Sequence, residues 1–213
     1  MSKKDFLVQA EKKVFQASFE DGLIDIGIAS LTLMFGVAPL LSESMGDFWS
    51  SAVFLPFWAV LYLLLRWVRK RFVLPRTGTV SFGAERISRL RRGGVVMLIL
   101  NVIFLLGGVF SFFNFEGNGY KIALGFSASV LMFFSLIGYL YDLPQLYVYG
   151  LLMALGVPAG EWLWQSGYAS HHGYPVVFGT VTVLIFLRGV IMFARLMRHP
   201  VPDFKDQPDV GGV

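Results

Sequence analysis

Six stretches of this chain are each long and apolar enough to cross a lipid bilayer, and that fact limits the fold more than any other. A span needs roughly 17–25 mostly apolar residues to cover ~30 Å of hydrocarbon. The windows 22–41, 48–65, 95–113, 122–141, 146–164 and 176–194 meet that need. None alternates apolar and polar residues as a membrane β-strand does. Backbone polar groups in lipid must be satisfied within the segment, which leaves the helix. The expected fold is therefore all-α: a polytopic membrane protein with six transmembrane helices over residues 22–197. Composition removes the alternatives. Hydrophobic residues make up 55% and charged residues 15%, against about a quarter charged in soluble domains. The absence of cysteine excludes a disulfide-stapled module and thiol redox chemistry.

The flanks differ from the spans. Residues 1–21 carry charge throughout and lack the apolar core of a signal peptide. Phe6, Ala10, Val14 and Ala17 recur at helical spacing, with Leu7 beside them and Lys3, Lys4, Lys12 and Lys13 among them. The reading is an amphipathic helix lying in the membrane interface; a soluble N-terminal helix is the alternative. Residues 198–213 contain Asp203, Pro208, Gly211 and Gly212 and no apolar face, so a flexible tail is expected.

Basic residues set the orientation. Six spans put both ends on one side of the membrane. That side holds the four N-terminal lysines, then Arg66, Arg69, Lys70, Arg71, Arg76, Arg86, Arg89, Arg91 and Arg92, then Arg195, Arg198 and Lys205. The other side holds only Lys121. By the positive-inside rule, both termini and the basic loop 66–94 face the cytoplasm. Trp49, Trp162, Trp164, Tyr120, Tyr168 and Tyr174 collect at the outer ends, and Trp67, Tyr62, Tyr141 and Tyr147 at the inner ends, as interfacial anchors do.

Within the basic loop, Phe72-Val73-Leu74 and Thr79-Val80-Ser81-Phe82 flank Pro75 and Gly78, which reads as a small hairpin. Ala84 to Arg92 follows as a short basic helix. The loop serves as a topology determinant that touches anionic lipid, or alternatively as a docking surface for an acidic partner. Leu74-Pro75-Arg76-Thr77-Gly78 spells the sorting pattern of sortase substrates. Here it lies mid-chain on the predicted cytoplasmic side, where no sortase acts. In the connection Asp142-Leu143-Pro144-Gln145, Asp142 is the expected helix cap and Pro144 the helix start.

Little in the sequence signals catalysis. Asp21-Gly22 begins like a CDP-alcohol phosphotransferase motif, but Asp25-Ile26 stands where Ala-Arg would follow. Tyr141-Asp142 has no Gly-x-Gly-Asp partner, as an intramembrane aspartyl protease requires. No rhomboid-type Gly-x-Ser-Gly, no Glu-Glu-x-x-x-Arg and no phosphate-binding loop occurs. No catalytic residue and no cofactor is assigned, and the balance leans away from an enzyme. His171 and His172 are the metal candidates, with Glu161 nearby. Adjacent loop histidines usually diverge, so no metal site is assigned to them. Gly150, Ala154, Gly156 and Gly160 on span five, and Gly125 and Ser129 on span four, are small residues that permit close helix packing. That packing is either internal or a homodimer seam. Pro39, Pro56 and Pro158 fall inside spans, as kinks or as the breaks of a transport site.

Phe19-Glu20-Asp21-Gly22-Leu23-Ile24-Asp25, Leu74-Pro75-Arg76-Thr77-Gly78-Thr79-Val80-Ser81-Phe82 and His172-Gly173-Tyr174-Pro175 resemble an uncharacterised group of prokaryotic multi-pass membrane proteins. That group has an Asp-Gly-Leu-x-Asp start to the first span and a Pro-Arg-x-Gly turn after the second. The resemblance implies a bacterial or archaeal inner membrane and no catalytic or binding residue.

Arg188 is the sharpest anomaly. It lies between Leu187 and Gly189 inside the sixth span, where a lone arginine costs about 2.5–3.5 kcal/mol on insertion scales. It should meet an acid. Asp25 and Glu161 are the candidates within the spans. At ~1.5 Å per residue, Arg188 lies ~9 Å and Asp25 ~5 Å above the inner ends of their spans, with Glu161 ~13 Å above Arg188. Depth favours Asp25; side-chain tilt toward each helix N-terminus favours Glu161. Asp25 ranks first, and snorkelling to the inner headgroups is the alternative. The functions consistent with all this are a non-enzymatic accessory or transport-related membrane component, or a membrane enzyme acting on a lipid or prenyl substrate at the outer face. The expected partners are the lipid bilayer and a membrane protein. No nucleic acid is expected, since no reading motif accompanies the basic run.

Overall fold

In the computed structural model the described residues are 21–77, 88, 91, 93–100, 102–103 and 119–198. They are helical almost throughout, with no strand among them. Five helices are long and apolar enough to cross a membrane: Leu23–Met45, Asp47–Arg76, Ala123–Tyr141, Gln145–Gln165 and His171–Arg198. The chain is thus a polytopic all-α protein. Of the third predicted span, 95–113, residues 95–100 and 102–103 are helical and the rest lies outside the described residues. The N-terminal amphipathic helix, the tail beyond residue 198 and nearly all of 78–92 also lie outside them.

We label the helices α1 (Leu23–Met45), α2 (Asp47–Ala52), α3 (Phe54–Val68), α4 (Leu74–Thr77), α5 (Gly119–Tyr141), α6 (Gln145–Gln165) and α7 (Tyr174–Arg198). The main packed pairs are α1 with α7 and α5 with α6, and α6 joins the two pairs through α7. Ile28, Phe134, Met153, Val157, Phe178, Val181 and Ile185 make the shared core. Outward-facing positions keep large apolar side chains, among them Leu55, Val60, Leu63, Val183 and Leu184. A soluble surface would not tolerate so broad an apolar area; lipid does.

Two close approaches fix the helix pairs. Gly22 (φ 77°) precedes α1 and lies on Gly189 of α7. A Cβ on Gly22 would run into the Gly189 carbonyl, and one on Gly189 would stand 2.9 Å from the Gly22 carbonyl and 3.0 Å from the Asp25 Cβ. Only glycine on both sides lets the backbones meet there. On α6, a Cβ on Gly150 would come 2.6 Å from the Phe134 Cβ of α5, and Gly156 and Gly160 lie against Phe178 and Tyr174. The small residues of span five therefore serve packing within the chain. Gly125 has no such neighbour among the described residues.

Two local expectations differ from the structure. The first arm of the predicted hairpin is helical: a π-helical turn, Arg69–Val73, leads into α4. Pro75 cannot donate to the carbonyl one turn back, and a wider turn just before it absorbs that mismatch. The resulting helix Asp47–Arg76 has 30 residues, or ~45 Å. It outruns the hydrocarbon, and its excess length is the basic part of the segment read as loop. The second difference is Asp142. It ends α5 with φ 55°, where the Leu143 N–H donates to the Gly138 carbonyl at 2.9 Å, and α6 has no side-chain cap. Aspartate tolerates the left-handed conformation that closes a helix.

Candidate functional site

Two polar clusters sit in the bundle, one near each end. The first joins α1, α6 and α7. Arg188 Nη1 donates to Asp25 Oδ2 at 2.5 Å and to the Tyr149 hydroxyl at 2.6 Å. The Tyr149 hydroxyl donates to Asp25 Oδ1 at 2.8 Å. The three groups close a ring in which each carboxylate oxygen and the phenol have a partner. Charge-assisted bonds of this kind are the strong ones. The Asp25 side chain is 3% exposed and that of Arg188 37%, so the carboxylate is sealed while the guanidinium reaches the edge of the bundle. The contact depends on the Gly22–Gly189 approach, which brings the first turn of α1 against the turn of α7 that carries Arg188.

Asp25 and Arg188 were candidates from depth alone. Tyr149 was not, although its place was readable. It is the fifth residue of α6, Asp25 is the third of α1, and both helices start at the same end of the bundle. Just outside α1, Asp21 accepts a hydrogen bond from the Leu23 N–H at 2.9 Å. Burial pushes the Asp21 carboxyl up from its ordinary value, against the opposing pull of that hydrogen bond and of Arg69.

The second cluster lies at the opposite end. Glu161 of α6 is buried and does not meet Arg188. Its Oε2 lies 2.9 Å from His172 Nδ1, and its Oε1 accepts from Gln165 Nε2 at 3.1 Å. The His172 ring lies between two aromatic rings, 4.2 Å from Trp164 and 5.8 Å from Tyr174. His171 turns away, with Nε2 3.5 Å from Glu43 Oε1. Both histidines have left-handed backbones, φ 52° and 54°, and Gly173 follows at 63°. Such a conformation costs a non-glycine residue of order 1–3 kcal/mol, and here two acids from two helices hold it. Gly173 and Gly160 admit the turn. A Cβ on Gly173 would stand 2.5 Å from the Gly160 carbonyl, and one on Gly160 would stand 2.6 Å from the Tyr174 ring. Among the described residues no three histidine, aspartate or glutamate side chains gather as a metal site, and the two histidines go to separate carboxylates.

Beneath this turn lies a cavity of about 370 Å³ between α1, α5, α6 and α7. Phe35, Phe126, Val157 and Phe178 line its apolar part, and Tyr174, His172 and Glu161 its polar end. Nothing in the sequence announced this space, because its walls come from four separate helices. Comparison of the chain with protein-family models, with curated proteins and with solved structures returns no match.

Proposed function

We propose that this chain is a non-enzymatic, transport-related or accessory component of a bacterial or archaeal cytoplasmic membrane, and that it holds a small ligand within its helix bundle. The observation that carries this reading is the half-open 370 Å³ cavity with a buried Glu161, paired to the half-exposed His172, at one end. Ligand sites are concave, mostly apolar and supplied with a few convergent polar groups. They often sit between the helices of a bundle. Basic residues support the orientation: the end carrying Arg66 to Arg76 and Arg195 to Arg198 faces the cytoplasm, and the cavity lies toward the outside. The resemblance to prokaryotic multi-pass proteins supports the same membrane. A membrane-protein partner fits a chain with this little mass outside the spans.

Native mass spectrometry of the full chain, purified in mild detergent, tests the reading. The expected result is a retained small-molecule adduct that is lost in the cavity-filling variant Ala123→Leu. A wild type with no adduct, and with no ligand recovered by extraction, overturns it. One observation favours a second reading. A carboxylate 2.9 Å from an imidazole is an arrangement that general-base catalysis uses, which would suit an enzyme acting on a lipid or prenyl substrate at the outer face. Glu161-dependent turnover of an added polyprenyl or phospholipid substrate would establish that alternative.

A further inference from the structure

The walls of the cavity are unusually rich in rings, and the rings are continuous. Phe126 lies 5.9 Å from Phe35, Phe35 5.5 Å from Phe178, and Phe178 5.7 Å from Tyr174. Tyr174 is 5.8 Å from His172, which meets Trp164 at 4.2 Å. The face of an aromatic ring carries partial negative charge. At the end of this run stands Glu161, whose side chain is 5% exposed. An ionised carboxylate is acceptor-only, with about four lone-pair sites; His172 and Gln165 occupy two of them. No arginine or lysine is among the described lining residues. Glu161 is the one acid among the described lining residues.

Resting on the reading of this cavity as a ligand site, we infer that it takes a small organic cation, an amine or quaternary ammonium on an aromatic or branched apolar body. The cationic group sits against Glu161 and the rings of Tyr174 and Phe178, and the body lies against Phe35 and Phe126. Ring faces and a carboxylate together attract such a group, and the attraction strengthens once water is excluded. An anion would meet Glu161 with no arginine or lysine among the described lining residues to offset it. A sugar-like neutral molecule would leave most of its hydroxyls without partners among the phenylalanines, at the usual cost of buried unsatisfied groups. The size suits a compact molecule. At ~30 Å³ per water, the space holds roughly a dozen solvent-sized groups.

The test is equilibrium binding of three radiolabelled probes to the full chain in nanodiscs, with empty nanodiscs subtracted. The probes are benzyltrimethylammonium, its uncharged isostere neopentylbenzene, and benzenesulfonate. The expected result is saturable binding of the cation alone, weakened at least tenfold by Glu161→Gln and about two- to tenfold by Phe35→Leu, the range that an aromatic pair with the probe's ring supplies. Phe35→Leu lies away from the Glu161–His172 turn, so it keeps the proposal falsifiable if Glu161→Gln fails to fold. Neopentylbenzene binding as tightly as the cation, or benzenesulfonate binding more tightly, overturns the cation assignment while leaving the cavity a ligand site. Saturable binding of none of the three overturns both.

Discussion

Replacing Arg188 with leucine should destabilise the bundle far more than removing its acidic partner does. The asymmetry follows from burial. Arg188→Leu leaves Asp25, 3% exposed, with only the Tyr149 hydroxyl as a partner. Breaking a buried ion pair from one side costs about 3–5 kcal/mol in soluble proteins. Interhelical polar contacts in membranes average only ~0.6 kcal/mol, because the reference state finds other partners. The sealed position of Asp25 decides between these figures, since no solvent or headgroup reaches it. Its cost is capped by proton uptake: neutralising an ordinary carboxylate of pKa ~3.9 at pH 7 costs about 4 kcal/mol, at 1.36 kcal/mol per pH unit. The expected loss for Arg188→Leu is therefore ~3–4 kcal/mol at pH 7, shrinking by roughly 1.4 kcal/mol for each unit the pH is lowered. Asp25→Asn strands Arg188 instead, which is 37% exposed and can swing toward the interface; its expected cost is about 1–2 kcal/mol. In the double variant the introduced amide still accepts from Tyr149, and most of the Arg188→Leu loss should return. The assay is reversible unfolding in bicelles, followed by tryptophan fluorescence across pH 5–8. Equal losses for the two single variants, or a loss for Arg188→Leu that does not vary with pH, would refute the argument.

Four further outcomes are expected. Tyr149→Phe removes one hydroxyl but leaves Asp25 and Arg188 paired, so it should cost ~0.5–1.5 kcal/mol by the same unfolding assay. Gly189→Ala places a methyl 2.9 Å from the Gly22 carbonyl; overpacking of this kind costs about 1–3 kcal/mol, and most of the effect of Arg188→Leu should vanish in its background, because the helices no longer meet. Asp21 holds its proton more tightly in the folded state, so its contribution is fully favourable below pH ~3.8 and declines as pH rises through the raised value; Asp21→Asn, which keeps an acceptor for Leu23, should be at least as stable as wild type at pH 7, whereas Asp21→Ala should be less so. Alkaline phosphatase fused after Gly83 should be inactive, and high activity there would invert the proposed orientation.

The spans were legible because lipid imposes one requirement, satisfied backbone over ~30 Å, and few sequences meet it by accident. The meeting of Asp25 with Arg188 was approachable for the same reason: helices of known rise convert residue number into depth. Features set by neighbouring backbones were not legible. Phe72 to Leu74 read as a hairpin arm leading into a turn at Pro75 and Gly78, yet the helix persists through a π-helical turn to Thr77. Asp142 read as a cap at the start of α6, and its left-handed backbone at the end of α5 had no signal in the sequence. The divergence of His171 and His172 was expected of adjacent loop histidines, but the left-handed turn behind it, with Gly160 opposite Gly173, was not. The aromatic cavity needs four helices in register, which no local pattern encodes.

The ring of Asp25, Tyr149 and Arg188 also has a history in time. Tyr149 lies 124 residues after Asp25, and Arg188 lies 163 residues after it. At ~5–20 residues per second of synthesis, the first helix waits roughly 8–33 s for its cationic partner. During that interval its acid sits at the membrane edge, two residues inside the helix start, where headgroup water can still reach it. Arg188, by contrast, enters last and deep, and finds its counter-charge already in place. The order of synthesis therefore puts the cheaper charge first and the costlier one after it.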